Sequence, residues 1–269
     1  MISPWTAVAF NQVPDSANEI HGDELAKEYG FVGGLVPGVT VSAYLAHPAV
    51  KSWGLDWLSR GGAHVRVGSP LYDGETFEVR ITAQSAAAYS AELVRLGEAV
   101  SANAELWLAD TLPPAPTRRG DRIAGHDEVA LRASIEHWSH LQKVGCHAVR
   151  YRWGDENAMR TYLRDESQMP RLLQETGGGF ANMSFILGIS NWVLASNAYM
   201  NPWVHLETTS QNFAPIPAGT PIVAEMVVSE FYEKKGHEFV DVDVALFDEL
   251  KNTCLATIAL RAIYKLRGT

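Results

Sequence analysis

The reading of this chain turns on Tyr29-Gly30-Phe31-Val32-Gly33-Gly34-Leu35-Val36-Pro37-Gly38-Val39-Thr40-Val41-Ser42-Ala43-Tyr44-Leu45-Ala46. Five glycines and prolines in its first ten residues give the backbone a freedom that residues with a Cβ lack. From Val39 to Ala46 every position is apolar or small, and a helix apolar all round must be buried on every side. It is far too short to span a bilayer. The run stops before His47-Pro48, because proline restricts its predecessor and ends a helix. A short sheathed helix of this kind needs a strongly curved sheet wrapped around it. Just upstream, Asn18-Glu19-Ile20-His21-Gly22-Asp23 sets polar chemistry at its mouth.

Outward from that unit, residues 5–10 read as a strand and 18–29 as a short helix. Strand-like runs follow at 64–67, 76–84, 89–96 and 101–109. Asp73-Gly74 and Gly97-Glu98 stand between them as hairpin turns. The proline-rich segment 111–120 is the clearest linker. Its arginines, with Arg122, read as a solvated basic stretch more readily than as a phosphate site.

The second half repeats the first. One offset of 145 residues lays Gly33 on Gly178 and Gly74 on Gly219 (178 minus 33, 219 minus 74). Gly178-Gly179-Phe180-Ala181 opens a second apolar helix, and strands at 221–233, 237–247 and 253–265 follow. In the middle one Phe239, Val240, Val242, Val244 and Leu246 alternate with Asp241 and Asp243, so one face is buried and the other wet. A fixed offset between halves points to duplication. The expected class is α+β: two units at 1–118 and 128–269 around a 119–127 linker, each a central helix wrapped by an antiparallel sheet. Joining the two sheets edge to edge would remove two exposed edges. The helices at 37–46 and 179–198 are expected to be the least exposed elements.

Composition narrows the function. The 269 residues are 46% hydrophobic and 20% charged, the balance of a globular protein. A net charge of −9 argues against nucleic acid as a partner. Cys146 and Cys254 make no metal spacing and fit reduced, buried thiols. No secretory signal is visible, and the longest apolar stretch, 185–195, is broken by Ser190 and Asn191. A cytoplasmic protein with no membrane association is expected. There is no P-loop, Rossmann fingerprint, nucleophile elbow or metal-ligand cluster, so no cofactor is expected.

Asn18, Ile20, His21, Asp23, Ala26, Gly30, Phe31 and Gly38 carry a resemblance. They fall in register with the segment Gly-Asp-x-Asn-Pro-(Leu/Ile)-His-x-Asp, then Ala, Gly-Phe and a glycine-rich turn, of MaoC-like, (R)-specific enoyl-thioester hydratases. The chain thus resembles a tandem, or double, hotdog protein. The resemblance implies an aspartate and a histidine bracketing a water and exchanging protons with it and with the acyl α carbon. It also implies N–H groups at the start of the central helix polarising the thioester carbonyl. By that reading His21, Asp15 and Asn18 are catalytic, and Val36, Gly38, Asp23, Asp155 and Asn157 bind substrate, an acyl-CoA or acyl-carrier-protein thioester. A homodimer is an allowed assembly.

Both halves depart from the pattern. Ser16 holds the aspartate position, with Asp15 one residue earlier, and Pro37 stands where a histidine often precedes the helix glycine. In the second half Gly154-Asp155-Glu156-Asn157 is intact, but Arg160 replaces the histidine. Asp155 reads best as the cap of a helix at 156–163, paired with Arg160. His21 reads either as a general acid or base, or as a remnant whose neighbours Asn18 and Asp23 cap a helix. His205 and His237 read as structural strand histidines. Three functions stay open: hydratase or dehydratase, thioesterase, and non-catalytic acyl-thioester binder.

Overall fold

The computed structural model describes residues 1–95, 100–125, 128–154 and 157–268. After strand β1 (Trp5–Val8) and helix α1 (Asp23–Glu28), the apolar run forms α2 (Gly38–Trp53), in which every residue from Val39 to Val50 is buried. The helix does not stop before Pro48, as proline chemistry suggests it should. Pro48 removes the N–H that would reach the Tyr44 carbonyl, and Trp5 Nε1–H donates to that carbonyl instead, at 3.2 Å. The Tyr89 hydroxyl donates to the next one, Leu45, at 2.7 Å. Two side chains therefore satisfy the carbonyls that the proline disturbs, and the helix runs on.

Helix α3 (Leu55–Arg60) leads into β2 (Gly61–Val67), β3 (Thr76–Gln84), β4 (Ala88–Arg95) and β5 (Val100–Leu108). Here β2 pairs with β5 rather than with β3. Asp73-Gly74 is consequently not a hairpin turn. It delivers β3 to β1, with Gly74 at φ +79° and its N–H on the Ala9 carbonyl at 2.9 Å. The Gly97-Glu98 turn lies outside the described residues.

The second half adds α4 (Ile135–Val144), β6 (Val149–Arg152), α5 (Met183–Asn197), β7 (Val204–Asn212), β8 (Pro221–Lys234), β9 (His237–Asp248) and β10 (Cys254–Lys265). The offset read from the sequence reappears in the elements: α5 begins 145 residues after α2, and β8 145 after β3 (183 minus 38, 221 minus 76). The strands form one antiparallel sheet in the order β1-β3-β4-β5-β2-β7-β10-β9-β8-β6. That order is a palindrome of repeat equivalents. At the seam His64 pairs with Thr209, its own equivalent, and Gly62 pairs with Gln211 while Arg66 pairs with Glu207. A quasi-twofold axis therefore passes through the His64–Thr209 pair.

Two apolar cores result, one around Tyr44, Leu45 and Phe77 and one around Phe185, Leu187 and Ile189. Tyr162, Leu163, Met169 and Leu173, which precede α5, pack into the first-half core. The Tyr162 hydroxyl meets His47 Nδ1 at 3.0 Å. Among the described residues of the segment expected to be helical, 157–163, no α-helix forms. Only one turn, Ala158–Arg160, appears, capped by Asn157 Oδ1 on the Met159 N–H at 2.8 Å. The Met159 and Arg160 carbonyls, which a longer helix would use internally, accept from Asn182 Nδ2 at 2.9 and 2.8 Å. The arginines at 118–122 are tied down as well. Buried Glu225 accepts the N–H groups of Arg119, Gly120 and Asp121, while Arg122 pairs with Glu128.

Candidate functional site

His21 ends a 3-10 turn (Glu19–His21) and is fixed from three sides. Its Nδ1 lies 2.7 Å from the Leu35 carbonyl. A carbonyl only accepts, so Nδ1 carries the proton and Nε2 of the neutral ring holds a lone pair. Asn11 Nδ2 donates to the His21 carbonyl at 2.8 Å. Gly34 presses against that carbonyl so closely that a Cβ would lie 2.3 Å from the oxygen. Burial pushes the imidazole below its usual 6.5, partly offset by the Leu35 hydrogen bond. His21 is therefore neutral and ready to accept a proton at neutral pH.

Two chambers open on either side of this residue. One, of about 210 Å³, is walled by apolar side chains including Ile20, Leu35, Val41, Leu206 and Ile263. The other, of about 280 Å³, is walled by Val13, Met159, Trp192 and Met200 among others. Asn18, His21, Pro37, Asn191 and Trp203 line both and form the partition. Among the described lining residues there is no lysine, arginine, aspartate or glutamate.

Pro37 and Gly38 start α2 at this partition. The Pro37 carbonyl takes the N–H groups of Thr40 and Val41, and the Gly38 N–H has no acceptor among the described residues. An uncommitted N–H at the start of a sixteen-residue helix favours an oxygen carrying negative charge. Val36 differs: its N–H donates to the Leu71 carbonyl at 2.8 Å, so it is not free to polarise a substrate. Asn18 lines the cleft, but it is also a clamp between the halves, with Nδ2 on the Trp203 carbonyl at 2.9 Å and Oδ1 taking the Trp203 N–H at 3.3 Å.

The other sequence candidates do not join His21. Asp15 is exposed and lines neither chamber. Ser16 beside it faces the cleft, with its hydroxyl donating to the Asn18 carbonyl. Asp23 is exposed and its Oδ1 takes the Gly34 N–H at 2.8 Å, which ties the glycine turn instead of binding a ligand. Asn157 caps its own turn in the second half. Asp155 lies outside the described residues. Arg160 pairs with Glu166 at 3.3 Å and Glu175 at 3.8 Å; its expected pairing with Asp155 lies outside the described residues.

Two second-half residues complete the partition. Asn191 projects from α5, and its Oδ1 lies 2.9 Å from His205 Nδ1; His205 Nε2 is 2.5 Å from the Thr208 hydroxyl. Burial pushes the His205 pKa down to about 3, so its ring is neutral. Asn191 was visible in the sequence only as a polar interruption of an apolar helix. Nothing in linear spacing ties it to His21, 170 residues away (191 minus 21).

The thiols of Cys146 and Cys254 are free and buried, and burial raises them to about 11 and about 12. Among the described residues no group of His, Cys, Asp and Glu could hold a metal, and no helix is long and apolar enough to cross a membrane.

No protein-family model and no curated protein sequence matches this chain. Solved structures do. A conserved hypothetical protein of Mycobacterium tuberculosis, described as having a double hotdog fold, matches with a TM-score of 0.55 at 12% identity over 97% of this chain and 94% of its own. The fold is a double hotdog. The tesB protein of Mycobacterium avium subspecies paratuberculosis matches this double hotdog at TM-score 0.57 and 9% identity, over 98% and 93% of the two chains. A protein from Thermobifida fusca YX, named as a candidate thioesterase II, gives 0.53 and 13%, over 98% and 92%. Identities this low carry the fold and not the chemistry.

Proposed function

We propose that this double hotdog acts on an acyl thioester, carried by CoA or an acyl carrier protein. In this reading it adds or removes water across the 2-enoyl/3-hydroxyacyl bond, with His21 as its single general acid–base. The observation that carries the reading is the locked tautomer of His21, which leaves the Nε2 lone pair in the partition between two apolar chambers. In the dehydration direction Nε2 takes the α proton, and the electron pair moves into the thioester as an enolate beside the Gly38 N–H. The C3–O bond then breaks, and the imidazolium returns its proton to the departing hydroxyl to give water. One residue serves both steps because an imidazole can accept and release a proton, and burial, which favours the neutral ring, makes the imidazolium ready to give its proton back. The uncharged lining suits an apolar acyl group with the carrier's charges outside the cleft.

Thioester hydrolysis is the second reading. It is favoured by the lack of any carboxylate among the described lining residues, since one base suffices to deprotonate an attacking water. The division we propose between the units keeps 119–127 as the linker that Glu225 secures. The test is to incubate the protein with short and medium trans-2-enoyl-CoA while following enoyl absorbance and free thiol separately. Loss of enoyl absorbance without thiol release supports hydration; thiol release supports hydrolysis. Neither, with binding retained, makes the protein a non-catalytic acyl-thioester binder and contradicts both.

A further inference from the structure

We propose that Asn191 supplies the second hydrogen-bond donor to the thioester carbonyl oxygen, opposite the Gly38 N–H, so that each repeat contributes one arm of the oxyanion site. The inference rests on the acyl-thioester reading above and names a group which that reading does not use.

The orientation of Asn191 follows from hydrogen-bond accounting. The Thr208 side chain is 2% exposed, and the His205 ring is its one side-chain partner among the described residues. A buried hydroxyl proton without an acceptor is costly, so Thr208 donates to His205 Nε2. A neutral imidazole then carries its proton on Nδ1, and Nδ1–H donates to Asn191 Oδ1. With its oxygen held by His205, Asn191 has its NH₂ group left over. Asn191 lines both chambers, and no protein acceptor among the described residues takes that group. The chain Thr208 to His205 to Asn191 thus ends in a donor at the partition, beside His21.

His205 also touches the other arm. A Cβ on Gly38 would lie 3.1 Å from both His205 Cδ2 and the His205 carbonyl oxygen, so the start of α2 rests directly on this histidine. The buried ring therefore sets the position of Asn191 by a hydrogen bond and of Gly38 by contact. His205 is a positioning residue that acts on the carbonyl through Asn191 and Gly38. Two fixed donors in a cleft without charged walls polarise a carbonyl more than they would in water.

The experiment uses the full chain with trans-2-enoyl-CoA labelled with ¹³C at the thioester carbonyl. It reads the isotope-edited infrared band of the bound ligand and, where turnover occurs, kcat and KM. Wild type should shift the carbonyl band to lower frequency than free ligand. Asn191→Ala should lose much of that shift and about a hundred- to a thousandfold in kcat, the usual effect of one oxyanion donor, with KM little changed. His205→Leu should reproduce both losses. His205→Gln, whose amide can donate to Asn191 and accept from Thr208, should restore them, which a merely structural role would not predict. If His205→Leu does not fold, the Asn191 and His205→Gln variants decide alone. A full band shift and wild-type kcat in Asn191→Ala, with His21→Ala inactive, overturn this inference and leave the acyl-thioester reading standing. No binding of the thioester by wild type overturns both.

Discussion

The two helix mouths began as copies and now differ in kind. With the 145-residue offset, Pro37 before α2 corresponds to Asn182 before α5 (182 minus 37). Proline has no side-chain acceptor, and its own carbonyl takes the Thr40 N–H that a capping side chain would meet. Asn182 instead caps its helix, with Oδ1 on the Phe185 N–H at 3.2 Å and Nδ2 on two carbonyls of the turn in front. At the first mouth stands a neutral histidine with a free nitrogen; at the second, an arginine paired with two glutamates. The two halves share the architecture, including the seam register, while in the proposed reading binding chemistry is kept at one mouth. The open mouth still draws on both repeats, because Asn191, Trp203 and His205 come from the second.

The largest expected effect breaks this symmetry outright. His21→Ala should lower turnover by about a hundred- to ten-thousandfold with an unchanged melting curve, whereas Arg160→Ala should leave turnover within a few-fold. Steady-state kinetics on the two variants side by side checks it; equal losses would mean that both mouths work. Next come the cores, where the halves should behave alike. Tyr44 and Leu187 are both fully buried, so alanine at either should cost about 2–5 kcal/mol in urea unfolding. No loss at one would show that its helix is not sheathed.

How much of this was legible beforehand depends on range. The apolar run at 39–46, the fixed offset and the alternation in β9 are local or periodic signals, and they specified the two helices, the sheets and the repeat. The extension of α2 past Pro48 depends on Trp5 and Tyr89, which meet it only after folding. The same holds for the single turn at Ala158–Arg160, whose carbonyls are taken by Asn182. At the site, His21 and Gly38 stood out because they lie within one short segment. Asp15 and Val36 were expected there too, but one turns outward and the other has its N–H on Leu71. Asn191 and His205 could not be recognised, since each joins the site through tertiary contact alone.

A smaller effect is acid lability. The unfolded chain protonates its histidines near 6.5, but burial holds His47 down to about 4 and His205 to about 3. Between these values the unfolded state binds more protons, so stability rises with pH and is lost as pH falls below about 6.5. Each of these residues should cost about 1.4 kcal/mol per pH unit within its window. Urea midpoints at pH 7.5, 6 and 5 should fall in that order; a flat series would contradict the buried, neutral rings. Smallest in its effect on turnover is the sealed mouth itself: Asn182→Ala should leave turnover unaffected, while in thermal melting it should cost about 0.5–2 kcal/mol for the lost cap and more for the Met159 and Arg160 carbonyls left without their donor.

The most direct test of the central claim, one working mouth per chain, is a crystal structure with a non-reactive acyl-CoA analogue bound. The account predicts one analogue per chain, its acyl group in the two chambers, its carbonyl oxygen within hydrogen-bond distance of the Gly38 N–H, and its α carbon facing His21 Nε2. An analogue seated at the start of α5 beside Arg160, or one at each mouth, would contradict it.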